Sequence, residues 1–294
     1  TADKTLLVSP RAFCRSPFDP KEIFIGGHDS SNKISDNLAW IFRAPLSVAV
    51  GIEAGSTAPT LPDPAPRMPR VDDGPVYELR IYAAAEDRLG HLIKRFREHT
   101  DRLFRKHKME PVAYWLPTDG TAKEKRRFVY ILKHPSRYAA YRNWNAFTHD
   151  PEWKRGVLEK PEFQRLLSER PESIFLTPQD IASTFPHSTK PSIFELRTTT
   201  VTNGKLPDLQ AHHRQHTSRL QLKHGISPRG SWFAYDKPES ENTMITLLRH
   251  TSRAQADLNW KAIEAEPDWK KSRGNLNTKT DRLYLKPMDF SPMR

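Results

Sequence analysis

The chain has 294 residues, 47 Lys+Arg against 35 Asp+Glu for a formal charge of +12, 25 prolines and a mean hydropathy of −0.72. That length holds about two domains plus extensions, and the lone Cys14 excludes an internal disulfide and fits a reducing compartment. No run of eighteen apolar residues exists: residues 38–52 are broken by Arg43 and Pro45, which makes them a poor membrane span and suits contact with a membrane surface or a partner protein.

Residues 1–75 read as an extended arm, not a domain. They mix Ser, Asp, Lys and Pro around two short apolar islands, at 23–25 and 38–52, and end in a linker with prolines at 59, 62, 64, 66, 69 and 75. Their 8 basic and 9 acidic residues leave the rest of the chain carrying the positive charge. The arm's candidate contact residues are the bulky apolar side chains of the Ala39-Trp40-Ile41-Phe42 stretch. The chain begins at Thr1, as removal of a targeting presequence would leave it, which gives the expectation of a protein in the matrix or on the matrix side of the inner membrane.

From residue 76 the pattern becomes regular. Residues 76–82 alternate as a half-buried strand. Leu89, Leu92, Ile93, Phe96, Leu103 and Phe104 then mark one face of a helix that runs to His107. Strands follow at 110–116 and 128–133, joined through Asp119-Gly120 and a charged turn, Lys123, Lys125, Arg126 and Arg127, the best electrostatic patch. A second helix opens near Ser136 and buries Ala140, Trp144 and Phe147. Asp150-Pro151 caps a short helix carrying Trp153. A further helical stretch at 162–169 and a strand at 173–177 complete the unit.

The same unit then repeats. Tyr77-Glu78-Leu79-Arg80 returns as Phe194-Glu195-Leu196-Arg197, and His99-Thr100-Asp101-Arg102-Leu103 as His216-Thr217-Ser218-Arg219-Leu220, both shifted by 117. After the loss of one residue, Asn143-Trp144 returns as Asn259-Trp260 and Pro151-Glu152-Trp153-Lys154 as Pro267-Asp268-Trp269-Lys270. The period exceeds any solenoid unit, about 20 to 50 residues, and is the length of a small domain. A βαββαβ order is the ferredoxin-like plan, in which both helices cover one face of the sheet. The bare faces of two such sheets would be covered by packing against each other, closing one barrel.

The Glu-Leu-Arg strand, the tryptophan of the second strand and the Pro-acid-Trp-Lys run resemble the NIPSNAP family of the dimeric α/β barrel superfamily. Both copies carry the pattern, over residues 76–180 and 191–288. The resemblance implies an α+β fold of two tandem domains forming a pseudo-dimeric barrel within one chain. It also implies mitochondrial association and protein contacts, with no established reaction and no cofactor.

Several residue sets could carry chemistry. Glu78, Arg80, Glu195 and Arg197 are expected as charge pairs at the seam between the halves, or else lining the lumen. His99 and His216 would be the ligands if a haem-handling or small-molecule oxidoreductase used the lumen. His107 and His224 close the first helices, and His134 and His250 end the third strands. His212, His213 and His216 have no acidic partner nearby to complete a zinc site. Phosphate-loop and nucleophile-elbow motifs are absent. The expectation is a non-catalytic subunit of a respiratory or ATP synthase complex that binds other subunits through its arm. Alternatives are a mitochondrial ribosome subunit, whose basic body meets RNA or anionic lipid, and the lumenal oxidoreductase.

Overall fold

The computed structural model describes residues 74–179, 192–202, 204–235, 241–273 and 276–294. The arm, with Trp40, Ile41 and Phe42, lies outside the described residues.

Eight strands close one antiparallel barrel in the order β1-β3-β2-β8-β5-β7-β6-β4. The first four are β1 (Val76–Ala83), β2 (Glu110–Pro117), β3 (Arg127–His134) and β4 (Glu172–Pro178). The second four are β5 (Ile193–Val201), β6 (Ser227–Ala234), β7 (Thr243–His250) and β8 (Thr278–Pro287). Pairing inside each half is long: β1 matches β3 over eight residue pairs, from Val76↔His134 to Ala83↔Arg127. Between the halves it is short. β2 meets β8 at Trp115↔Pro287, Leu116↔Lys286 and Pro117↔Leu285, and β4 meets β6 from Leu176↔Ala234 to Pro178↔Trp232. Closure gives each of these strands two neighbours and so protects its edges.

Strand alternation sorts side chains into two layers. One set from all eight strands, including Leu79, Trp115, Ile131, Leu176, Phe194, Trp232, Leu247 and Leu285, meets inside the barrel as a single buried cluster. The other set points outward beneath helices α1 (Leu89–Arg95), α2 (Asp101–Lys106) and α4 (Arg137–His149), and beneath α6 (Leu206–His212), α7 (Ser218–Lys223) and α8 (Arg253–Ala265). Ser136 and Ser252 cap α4 and α8 by accepting from the N–H groups of Ala139 and Gln255. Pro151 opens the one-turn α5 (Pro151–Trp153) behind the Asp150 cap, as the sequence indicates; α9 (Pro267–Arg273) is its counterpart.

Three features differ from the expectation. The first helix of each copy carries a widened π turn, Phe96–Thr100 and His213–Thr217, between its α segments. Residues 162–169 are not a helix beyond a single turn at Pro161–Phe163. Arg165 takes a left-handed φ of 51°, and the chain then bonds back to the end of β1, Ala85 N–H to Leu166 O and Ser168 N–H to Ala83 O. The charged turn is a short helix, α3 (Ala122–Lys125), because Thr121 and Glu124 form a reciprocal capping box. Beyond the repeat, the chain's last residues clamp the first half. Met288 N–H donates to Tyr114 O, Tyr114 N–H donates to Ser291 Oγ, and Phe290 lies 5.2 Å from the Tyr114 ring.

Candidate functional site

Side chains from all eight strands pack together in the lumen. Trp115 and Trp232, equivalent in the repeat, fill it with their indoles fully buried, 5.7 Å from Phe194 and 5.5 Å from Tyr77 respectively. Their Nε1 atoms have no hydrogen-bond partner, so dense packing there is held at the cost of two unmet donors. The oxidoreductase alternative, which would use this lumen, meets these two packed indoles there.

Glu78, Arg80, Glu195 and Arg197 correct a second expectation. They sit neither at the seam nor in the lumen, because Tyr77 and Leu79 take the inward positions and alternation turns Glu78 and Arg80 toward the helices of their own half. There each glutamate organises a buried cluster. Glu78 accepts from Arg80 Nη1 at 2.8 Å, Trp144 Nε1 at 2.6 Å and Ser173 Oγ at 2.7 Å, with His134 Nε2 at 3.2 Å. Glu195 repeats the set with Arg197 Nη1 at 2.8 Å, Trp260 Nε1 at 2.7 Å and His250 Nε2 at 2.9 Å. Burial alone would push both carboxyls up. The guanidinium and imidazole beside each reverse this and hold both below the usual carboxylate range. These are structural knots tying the first strand to the third strand and the second helix.

What surrounds the knots differs between the halves. Arg80 Nη2 reaches the Tyr82 hydroxyl at 3.4 Å, to which the Tyr130 hydroxyl bonds at 2.9 Å, and Phe96, Phe104 and Phe128 pack around the two phenols. At the same repeat positions the second half has Thr199, Thr246, His213, Gln221 and Met244. These line a cavity of about 60 Å³ between β5, β7, β8 and the π turn, together with Arg197, Trp260 and Trp269. His213 Nε2 and Gln221 Oε1 are buried and have no partner. Burial, helped by His212 and Arg197, lowers the His213 pKa to about 4. Sequence reasoning singled out His212, His213 and Arg197 but not the cavity. The repeat held its signal, since aligning the copies shows five core positions changing character together.

The other histidines serve locally. His107 meets Asp150 at 2.6 Å and His224 meets Glu266 at 2.7 Å, each fastening the end of the first helix to the start of the short one. His99 packs on Phe163, and neither it nor His216 faces the lumen. His212 engages Ser272 Oγ and Thr217 Oγ1 through its two ring nitrogens. Among the described residues no group of three His, Cys, Asp or Glu side chains is placed to hold a metal, and no helix is long and apolar enough to cross a membrane. The basic patch is partly engaged within the chain: Lys123 pairs with Glu169 at 3.4 Å and the Arg127 charge acts on Glu172, while Arg126 Nε is buried without a partner.

The NIPSNAP family profile matches residues 77–182, which span β1 to β4 with their helices. Over these residues the chain carries a NIPSNAP domain. Solved structures that align with the chain include an uncharacterised NIPSNAP-like domain protein from Burkholderia xenovorans, at 18% identity and a TM-score of 0.31, covering 34% of this chain and 89% of that one. A NIPSNAP protein of unknown function from Agrobacterium tumefaciens aligns at 19% identity and a TM-score of 0.32, over 37% of this chain and 98% of its own. A haem-binding protein from Thermus thermophilus aligns at 10% identity and 0.44, over 76% and 95%. No curated protein matches the sequence. Residues 191–288 lie outside the profile match and resemble residues 76–180 through the internal repeat.

Proposed function

We propose that the barrel consists of two tandem ferredoxin-like NIPSNAP domains, residues 76–180 and 191–288, folded together as a pseudo-dimer within one chain. The order β4-β1-β3-β2 followed by β8-β5-β7-β6 supports this reading, since each half places its strands alike. The protein itself is a non-catalytic structural subunit of a mitochondrial assembly, on the matrix side of the inner membrane. A respiratory or ATP synthase complex is the first choice. The observation that carries the reading is the disposition of apolar surface. The shared interior is closed, whereas the packed helices α7 and α8 expose Leu222 and Leu258 where the first half has Arg105 and Arg142. Replacing charge by leucine on adjacent outer helices favours a protein neighbour there. The pairing of Lys123 with Glu169 weakens the case for RNA at α3, and with it the ribosomal alternative.

The test is the native size of the protein in gently solubilised mitochondria, read by gel separation and mass spectrometry of each slice. Co-migration with one large complex, lost on deleting residues 1–75 or on Leu222→Arg with Leu258→Arg, supports the reading. Migration at 34.0 kDa or twice that sinks it.

A further inference from the structure

We propose that the cavity beneath the π turn of the second half is a binding site for a small planar oxyanion of the carboxylate class, a one- or two-carbon carboxylate or bicarbonate. The inference is independent of the assembly reading and starts from a chemical difference between the halves. In the first half the guanidinium of Arg80 finds a phenol oxygen at Tyr82, backed by Tyr130. In the second half both phenols are threonines, so Arg197 gives Nη1 to Glu195 and makes no hydrogen bond to a phenol with the rest of its planar fork. A guanidinium fork matches a planar oxyanion in two parallel hydrogen bonds.

The walls agree. Among the described residues, no carboxylate lines the cavity. Arg197 stacks 3.9 Å from the centre of the Trp260 ring, and that indole, bonded to Glu195, keeps the guanidinium in place. Two side chains replacing phenylalanines, His213 and Gln221, leave buried polar atoms unpartnered at the cavity. A half-turn of the Gln221 amide presents N–H donors instead of its oxygen. Arg282 adds a second cation 3.9 Å from Glu195, at the register position that Ser173 holds in the first half, and is itself met by Glu264 at 3.8 Å, so Arg197 is the cation that faces the cavity. Size sets the ligand: a cavity of roughly 150 Å³ admits benzene, and one of about 60 Å³ suits three or four heavy atoms. The partly exposed Thr199, Thr278 and Thr280 form its mouth. An anion beside His213 would also oppose the burial and the neighbouring cations that keep its imidazole neutral, so that binding draws in a proton.

The experiment is calorimetric and thermal titration of the intact chain with sodium formate, acetate and bicarbonate, against chloride and acetamide at fixed ionic strength. Saturable binding of at least one oxyanion, with acetamide and chloride inert, is the expected result, and the preferred oxyanion separates organic from inorganic sources. Thr199→Tyr restores the phenol that meets the guanidinium in the first half and should weaken binding at least tenfold. Should that variant fail to fold, the volume-neutral Thr246→Val should weaken binding about tenfold by removing one hydrogen bond to a charged ligand. No saturable oxyanion binding, acetamide binding equal to acetate, or unchanged affinity in the folded variant overturns the proposal.

Discussion

Beneath α1 and α2, Tyr82, Phe96, Phe104, Phe128 and Tyr130 lock against the sheet with ring centroids 4.5 to 6.2 Å apart. Beneath α6 and α7 the corresponding side chains are Thr199, His213, Gln221, Met244 and Thr246, and a cavity stands where the rings would be. The backbone plan, the π turn and the glutamate knot are the same in both halves. Duplication therefore separates two jobs that a single domain must combine. One copy keeps the dense core that holds the barrel, and the other can leave its inter-layer space polar because its neighbour already supplies stability. Since close packing makes a core sensitive to volume, substitutions that exchange character between the copies should have opposite costs.

The largest expected effect comes from giving the first half a residue of the second. Phe104→Gln removes a ring packed on Tyr130, Trp144 and Phe147 and buries an amide among them, which should cost about 5 kcal/mol in urea unfolding. A loss below about 1 kcal/mol would show that the two layers are packed equally loosely. Next is the knot. Glu78→Gln leaves Arg80 without its carboxylate in a site 1% exposed and should cost about 4 kcal/mol. Glu195→Gln should cost less, because the cavity lets water reach Arg197. Both carboxyls are depressed when folded. Their contribution is therefore complete above the ordinary carboxylate pKa of about 4.3 and disappears as pH falls through the folded values, and Glu78→Gln should flatten the acid limb of the stability curve.

The repeat and the order of strands and main helices were legible in the sequence because each rests on local periodicity or on identity between the copies. The facing of Glu78 and Arg80 was not. Alternation places Tyr77 and Leu79 on one face and the charges on the other, but only barrel closure says which face is the lumen. The stop at Arg165 was equally hidden, since a left-handed residue there depends on the bonds of Ala85 and Ser168 back to β1's end. The cavity demanded the comparison of copies: no single residue in it is unusual, and only the joint loss of five aromatics is.

A smaller effect tests whether the matched strands tolerate the same residues. A Cβ at Gly230 would run into the indole of Trp232, at a β-bulge between Pro228 and Gly230. Its counterpart in the first half, at the bulge between Pro111 and Ala113, is Ala113 itself, fully buried. Gly230→Ala should therefore destabilise by about 2–3 kcal/mol, while Ala113→Gly should cost only about 1 kcal/mol, mainly through chain entropy. Equal costs would mean that the two inward tryptophans lie alike over their bulges.

The smallest effect isolates the cavity from the rest of the barrel. His213 titrates at about 4 in the folded protein against 6.5 for an ordinary imidazole, held down by burial and then by His212 and Arg197. A folded pKa below the unfolded one means that the unfolded chain binds the extra proton across this window. Stability is then full above about pH 6.5 and falls as the pH drops toward 4. Between pH 7.5 and 5 the loss should be about 2 kcal/mol. Phe96 occupies the matching place in the first half without titrating, so His213→Phe should remove this part of the slope while leaving the carboxylate limb below pH 4.3 untouched. Its absolute stability at pH 7.5 tells a second thing. If the ring fills the cavity the variant gains stability, and an oxyanion that protects the wild type should no longer protect it. If the slope survives the substitution, the titrating group lies elsewhere, and His213 is not the neutral imidazole that the polar cavity is built around.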